Sequence, residues 1–151
     1  MRSGSLNVAG IVGFGAAAEI AVEERVQEAD RLCPLRDRLV AELKRGLSGV
    51  EENGDINCRL PNTANIRFAG TDAEAVVTNM DPVAVSTGSA CSAGAIEPSS
   101  VLLAMGLSRE AAFESVRFSL GRFTTAEEIE IAARKTVSAV EYVRAMDEGE
   151  A

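Results

Sequence analysis

Cys91 is the residue best suited to chemistry in this sequence. It lies within a run of small residues, STGSACSAG, at positions 86–94. Small neighbours leave a sulfur atom accessible, and the thiolate is the reactive form of cysteine. A helix predicted to begin near Pro98 would favour that thiolate through its N-terminal dipole. The same residues are also compatible with a buried, inert thiol, so both interpretations stay open at this point.

The other two cysteines and the absence of histidine limit the kinds of site that the chain can form. Cys33 follows Leu32 in a helical pattern, which favours a place in the core, and Cys58 has no evident partner. Without any histidine, a Cys–His nucleophile pair and most zinc sites are excluded, and we predict no metal site. Three cysteines without a C-x-x-C pair argue against a disulfide framework and favour a cytoplasmic protein.

Arg117 is the second residue with a possible role in chemistry. Residues 115–120 are predicted to form a strand, in which alternation places Arg117 on the face opposite Val116 and Phe118. A guanidinium there can bind a carboxylate through two parallel hydrogen bonds. A solvent-exposed arginine or an ordinary ion pair is the alternative, and the same ambiguity applies to Arg122.

The composition is that of an acidic globular chain. It has 151 residues, of which 46% are hydrophobic and 25% charged, which fits one domain with its own core. The formal net charge of -8 disfavours binding to nucleic acid or to anionic membranes. No apolar run approaches the roughly 20 residues that a membrane helix needs, and the N-terminus does not resemble a signal peptide.

Helices on both sides of Pro34 are predicted to open the chain. Residues 8–32 carry apolar side chains at intervals of three or four, and Leu35, Leu39 and Leu43 continue that stripe. Because proline removes a backbone donor and clashes with the preceding turn, we expect a kink or a restart at Pro34.

Short strands and capped helices are predicted to alternate through the rest of the chain. The strands are expected at residues 65–68, 83–85 and 115–120. Helix caps are predicted at Asp72, at Ser108 and in a capping box formed by Thr125 and Glu128. These elements favour an α/β (α+β) fold, a two-layer sandwich of helices on a small, largely antiparallel sheet.

Several segments together resemble the C-terminal part of a cysteine desulfurase of the NifS/IscS-like group, pyridoxal-phosphate enzymes related to class V aminotransferases. The resemblance covers nearly the whole chain and is most specific in three segments. These are STGSACSA at 86–93, EPS at 97–99 and VRFSLGRFTT at 116–125. The resemblance implies the small domain of a fold-type I enzyme, with residues 1–33 as a connecting helix segment and 34–151 as the small C-terminal domain.

The resemblance also implies roles for three residues. Cys91 matches the nucleophile whose thiolate takes the sulfur of L-cysteine as a persulfide, with release of alanine. Arg117 matches the arginine that holds the substrate carboxylate. Ser5 matches a position, usually threonine, whose hydroxyl contacts the cofactor phosphate of the neighbouring subunit.

One departure from the family limits what the chain is expected to do alone. The family's Schiff-base lysine lies upstream beside a histidine, whereas neither Lys44 nor Lys135 stands in a matching motif. We therefore expect the chain to be inactive by itself, not to bind pyridoxal phosphate alone, and to need a separate large domain that binds the cofactor.

The expected partners follow from the same resemblance. A homodimer is expected, formed directly or by exchange of residues 8–32, and the sulfur acceptor is expected to be an iron–sulfur scaffold or a sulfur carrier. One alternative is a sulfur-carrier or interaction module without enzymatic activity of its own, working with a separate pyridoxal-phosphate domain. Another is a class V aminotransferase relative without sulfur chemistry, which would not need the thiol of Cys91.

Overall fold

The computed structural model describes residues 4–88 and 97–149. The described part of the chain contains five helices and three strands. In chain order they are α1 (Val8–Gly46), β1 (Val50–Glu52), β2 (Thr63–Phe68), α2 (Ala73–Thr78), α3 (Ser100–Ala104), α4 (Arg109–Phe113), β3 (Ser115–Ser119) and α5 (Ala126–Gly149).

The first helix is continuous across Pro34. It has 39 residues, which corresponds to a length of about 58 Å at 1.5 Å per residue. The predicted restart at Pro34 is wrong, because the proline removes only one hydrogen bond of the helix. Leu32 and Leu39, on either side of it, are both buried in the core and hold the chain in the helical path.

The strands form an antiparallel sheet in the order β1–β2–β3. We call inner the face that packs against the second half of α1 and against α5. Its buried side chains on β2 and β3 are Ala64, Ile66, Phe68, Val116 and Phe118. The opposite, outer face carries Asn65, Arg67, Ser115, Arg117 and Ser119. The predicted two-layer arrangement of helices on a small antiparallel sheet is confirmed.

The predicted helix caps are confirmed one by one. The carboxylate of Asp72 accepts a hydrogen bond from the backbone N–H of Ala75, at 2.9 Å, and Ser108 accepts from the N–H of Ala111. Thr125 and Glu128 form the reciprocal bonds of a capping box before α5. Such caps depend only on residues within one helical turn, which explains why the sequence predicts them well.

Two strand predictions need correction. The predicted strand 83–85 is absent, since the N–H of Val83 bonds the carbonyl of Met80 in a turn. Only Ser86, just after it, pairs with Arg117 as an isolated bridge. Conversely, β1 is not predicted by the sequence. It has a single apolar residue, Val50, and so lacks the alternation of apolar and polar residues that indicates a strand.

The described ranges contain no helix that is both long enough and apolar enough to cross a membrane.

Candidate functional site

Arg117 lies on the outer face of the sheet. It is exposed on β3, while Val116 and Phe118 on either side are buried, as the alternation predicts. Across residues 4–88 and 97–149, its guanidinium has no hydrogen-bond or ion-pair partner.

The backbone of Arg117 is held on both sides. On one side it lies opposite Asn65 of β2 in the antiparallel register. On the other side its N–H donates to the carbonyl of Ser86 at 2.7 Å, and its carbonyl accepts from the N–H of Ser86 at 3.2 Å. The base of the side chain is thus fixed by main-chain bonds while the guanidinium extends into solvent.

A second arginine of the outer face, Arg67, is already occupied. Its Nε donates to the carboxylate of Glu114 at 2.6 Å and its Nη1 donates to Glu51 at 3.1 Å. The other oxygen of Glu114 accepts from the N–H of Gly70. The hydrogen bond to Glu114 raises the pKa of Arg67 above its ordinary value. Arg67 therefore has a structural role, unlike Arg117.

A polar network beside Arg117 is a feature that sequence reasoning missed. The side-chain amide of Asn53 donates to Asn65 at 2.6 Å and to the hydroxyl of Ser115 at 2.9 Å. The hydroxyl of Ser115 donates in turn to the carbonyl of Ala111 in α4. The network ties the turn after β1 to both strands next to Arg117. A single sequence offers no signal for it, since it joins segments far apart in the chain.

Cys91 lies outside the described residues, but the residues before it are anchored. The hydroxyl of Thr87 donates to the carboxylate of Glu74 in α2 at 2.7 Å. A Cβ built on Gly88 would lie 3.7 Å from the hydroxyl of Ser99, so these two residues are neighbours.

The remaining cysteines take no part in this site. Cys58 is exposed in the turn that follows Asp55, and Cys33 is half-buried. The expectation that Cys33 fills the core is therefore only partly met. Within the two described ranges, no group of three or more histidine, cysteine, aspartate or glutamate side chains is placed to hold a metal ion.

Ser5 lies at the exposed end of the first helix. It is exposed and precedes the first residue of α1, Val8. From Val8 to Glu24, which pairs with Arg122, the helix extends about 24 Å. The structure therefore places Ser5 at the opposite end of this helical segment from the contact with Arg122.

Comparisons with known proteins agree on one family. Residues 1–131 match the family described as Aminotransferase class-V. "Cysteine desulfurase IscS" of Anaeromyxobacter sp. (strain Fw109-5) is 48% identical over 145 residues, which is 96% of this chain. "Cysteine desulfurase" of Frankia sp. (strain EuIK1) is 49% identical over 152 residues, or 98% of this chain. The chain spans only 36% of the length of either relative.

Solved structures give the same result for the fold. A "NIFS-LIKE PROTEIN" superposes with a TM-score of 0.79 at 31% identity, covering 93% of this chain and 36% of that one. The "NifS-like protein from Rickettsia africae ESF-5" superposes with a TM-score of 0.78 at 30% identity, with the same coverage.

This family uses pyridoxal phosphate, a cofactor whose aldehyde is held by a lysine. Lys44 and Lys135, the only lysines of the sequence, are exposed on α1 and α5. Both helices cover the inner face of the sheet, whereas Arg117 lies on the outer face. No lysine is thus placed beside Arg117 to hold the aldehyde of the cofactor.

Proposed function

Because the chain belongs to the class-V aminotransferase family, we propose that it is the part of a cysteine desulfurase that binds the substrate carboxylate and accepts the sulfur. The observation that carries this proposal is the 48% identity with a cysteine desulfurase over 96% of the chain. The chain spans 36% of that relative, so the rest of the site must come from residues outside this sequence.

The proposed reaction moves one sulfur atom from L-cysteine to Cys91. The carbon–sulfur bond of the substrate breaks and a sulfur–sulfur bond forms at the Cys91 thiolate. A proton replaces the sulfur on the substrate, which leaves as L-alanine. The electron pair of the broken carbon–sulfur bond stays with the carbon, which takes the proton, so the carbon is reduced as the sulfur is oxidised to the persulfide level. The reaction therefore balances without an external oxidant or reductant.

Arg117 is proposed to bind the carboxylate of L-cysteine. Its exposed guanidinium, which has no polar partner in residues 4–88 and 97–149, suits a planar carboxylate, which it can bind through two parallel hydrogen bonds. Its backbone bonds to Ser86 connect it to the segment that leads to Cys91, five residues further along. Five peptide units span at most about 18 Å, so chain connectivity keeps the proposed acceptor in the neighbourhood of the proposed substrate.

The cofactor is proposed to be bound by a separate large domain. That domain would supply the Schiff-base lysine, while Ser5 would contribute a hydroxyl to the cofactor phosphate of the neighbouring subunit. The position of Ser5 at the exposed end of α1, away from the contact with Arg122, supports a role for Ser5 in a different subunit's site. A homodimer is the assembly that this arrangement requires.

The sulfur of the persulfide is proposed to pass to an iron–sulfur scaffold or to a sulfur carrier. A second candidate function is a sulfur carrier or interaction module without activity of its own, working with a separate pyridoxal-phosphate domain. The absence of a lysine beside Arg117 in the described ranges favours this second function for the chain in isolation.

The test of the proposed function compares the chain alone with an assembled enzyme. The chain is incubated with pyridoxal phosphate and L-cysteine, and alanine is quantified. It is then co-expressed with the remaining part of the Anaeromyxobacter relative, co-purification is verified, and alanine and a persulfide on Cys91 are measured. We expect alanine and persulfide only from the assembled pair, and neither persulfide nor turnover from its Cys91→Ser variant.

Alanine release by the chain alone would overturn the proposed division of the site. A co-purified pair that releases alanine normally with Cys91→Ser would overturn the role of Cys91.

A further inference from the structure

The first half of α1 contacts the rest of the protein along one narrow stripe. Glu24, Glu28 and Arg31 recur at intervals of four and three residues and so lie on one face of the helix. Every residue of α1 before Glu24 is exposed. Within the described part of the chain, the polar contacts of this stripe go to the loop of residues 121–124, which follows β3.

Arg31 is the centre of that stripe. Its Nη1 donates to the carbonyl of Thr124 at 2.8 Å, and its Nη2 donates to the carbonyls of Arg122 at 2.5 Å and Gly121 at 3.2 Å. Glu28 pairs with the same guanidinium at 3.3 Å. Three backbone carbonyls of one short loop are thus bound by a single side chain from two separate nitrogens, whereas a lysine ammonium donates from one nitrogen only.

The loop also provides an arginine that contacts the helix. The guanidinium of Arg122 pairs with the carboxylate of Glu24, two turns before Arg31 on α1. An arginine of the helix therefore contacts the loop at one end of their interface, and an arginine of the loop contacts the helix at the other. Two reciprocal contacts define an orientation, whereas a single one would leave the helix free to rotate about it.

Pro34 makes these contacts important for the direction of the helix. Proline cannot donate to the carbonyl of Asp30, so the helix lacks a hydrogen bond just after Arg31. The buried anchors Leu39 and Leu43 lie beyond the proline, and Leu32 is the one buried residue before it among residues 4–33. The half of α1 before Pro34 is therefore oriented relative to the sheet by Leu32 at its end and by the polar contacts with the loop at 121–124.

The same loop is connected to the strand that carries Arg117. Leu120, between β3 and the loop, donates its N–H to the carbonyl of Asn62 at 2.8 Å and accepts from the side-chain amide of Asn62 at 3.0 Å. The buried Arg36, on α1, donates to the carbonyls of Leu60 and Pro61 just before Asn62. The start of β2 and the end of β3 lie next to each other, and both are thus bound to α1.

We propose that Arg31 is a positioning residue, which ties the loop at 121–124 and the end of β3 to the half of α1 that precedes Pro34. A partner that covers the exposed half of α1 then acts on the strand of Arg117 through Arg31. The consequence for substrate binding rests on the function proposed above. The contact itself is a property of this chain and can be tested without any activity.

The test is amide hydrogen exchange of the full chain, read by segment. Arg31→Gln is expected to raise exchange roughly tenfold in residues 24–31 and 121–124, because the charged hydrogen bonds are lost. Exchange in β2 and in residues 136–143 of α5 is expected to stay unchanged. Glu24→Gln is expected to raise exchange in the same two segments, to a smaller extent.

Arg25→Gln is the matched control, since Arg25 is exposed on the same helix and has no polar partner among the residues that the structure describes. It should leave both segments unchanged. Arg31→Lys keeps the charge beside Glu28, but its single nitrogen cannot occupy the positions of both Nη1 and Nη2, and it is expected to behave like Arg31→Gln. Full protection in Arg31→Lys, a uniform rise across the chain in Arg31→Gln, or no rise at all would overturn the proposal. None of these outcomes depends on whether the chain belongs to a desulfurase.

Discussion

Arg67 and Arg117 lie on the same face of the sheet, yet their side chains are used differently. Arg67 is bound by Glu114, whose side chain is only 8% exposed, and also by Glu51. Arg117 has neither partner. Removing Arg67 would leave a buried carboxylate without its cation, whereas removing Arg117 breaks no bond within the described chain. The two arginines thus separate a structural role from a proposed binding role.

We predict that Arg67→Gln lowers the free energy of unfolding by about 1–3 kcal/mol, the range for breaking a buried charged hydrogen bond. Arg117→Gln is its matched control and is expected to change it by less than about 0.5 kcal/mol, as is usual for exposed positions. Urea denaturation of the two variants measures both values. A loss in Arg117→Gln as large as that in Arg67→Gln would show that Arg117 has an internal partner.

In the assembled enzyme, the substitution of Arg117 is expected to lower activity more than the substitution of Arg67. Arg117→Gln should lower kcat/KM for L-cysteine by roughly two to three orders of magnitude, since it removes two charged hydrogen bonds to the carboxylate. Arg117→Lys should recover only part of this loss, because an ammonium cannot bind both oxygens in the same geometry. Steady-state alanine release by the co-expressed pair is the measurement, and an unchanged kcat/KM would contradict the role of Arg117.

At the scale of elements, α1 combines two halves with different surroundings. Its second half buries Leu39, Val40 and Leu43 in the core, whereas Val22 in the first half is 67% exposed. A single continuous helix therefore belongs to the domain at one end and is uncovered at the other. This difference supports the division of the chain near residue 33, which stays a prediction.

We predict that Leu39→Ala lowers the free energy of unfolding by about 2–5 kcal/mol, the range for removing a buried leucine side chain. Val22→Ala, on the same helix, is expected to change it by less than about 0.5 kcal/mol. Thermal and urea unfolding of the pair measure the difference. A large loss in Val22→Ala would mean that self-association buries this position in solution.

At the scale of the whole molecule, the uncovered half of α1 is an unusual surface. Between Asn7 and Glu19 the sequence has no charged residue, and Ile11, Val12 and Phe14 are all more than half exposed. A helix that is apolar on all sides is normally buried on all sides. An exposed patch of this kind marks an interaction surface, which the chain in isolation can cover by self-association.

We predict that the isolated chain forms a dimer through residues 8–32. Light scattering over a range of concentrations is expected to show it, and Phe14→Glu is expected to shift the chain towards the monomer by placing a charge in the interface. Val101→Glu, at an exposed position on α3, is the matched control and should leave the dimer intact. A monomeric mass at every concentration in the unmodified chain would contradict the prediction.

The sequence by itself determined the features that depend on neighbours within about one turn or one strand. These include the caps at Asp72, Ser108 and Thr125 and the alternation that exposes Arg117. They also include the chemical types available for a site, since the absence of histidine and the position of Cys91 in its run of small residues need no coordinates.

Only the tertiary structure decided how distant segments meet. It showed that Ser86 pairs with Arg117 although 83–85 is not a strand, that Arg67 is occupied, and that Arg31 binds a loop 90 residues away. It also showed that α1 continues through Pro34. Such contacts depend on the packing of the core and on which backbone groups remain unpaired after the sheet has formed, and no local pattern of residues encodes either.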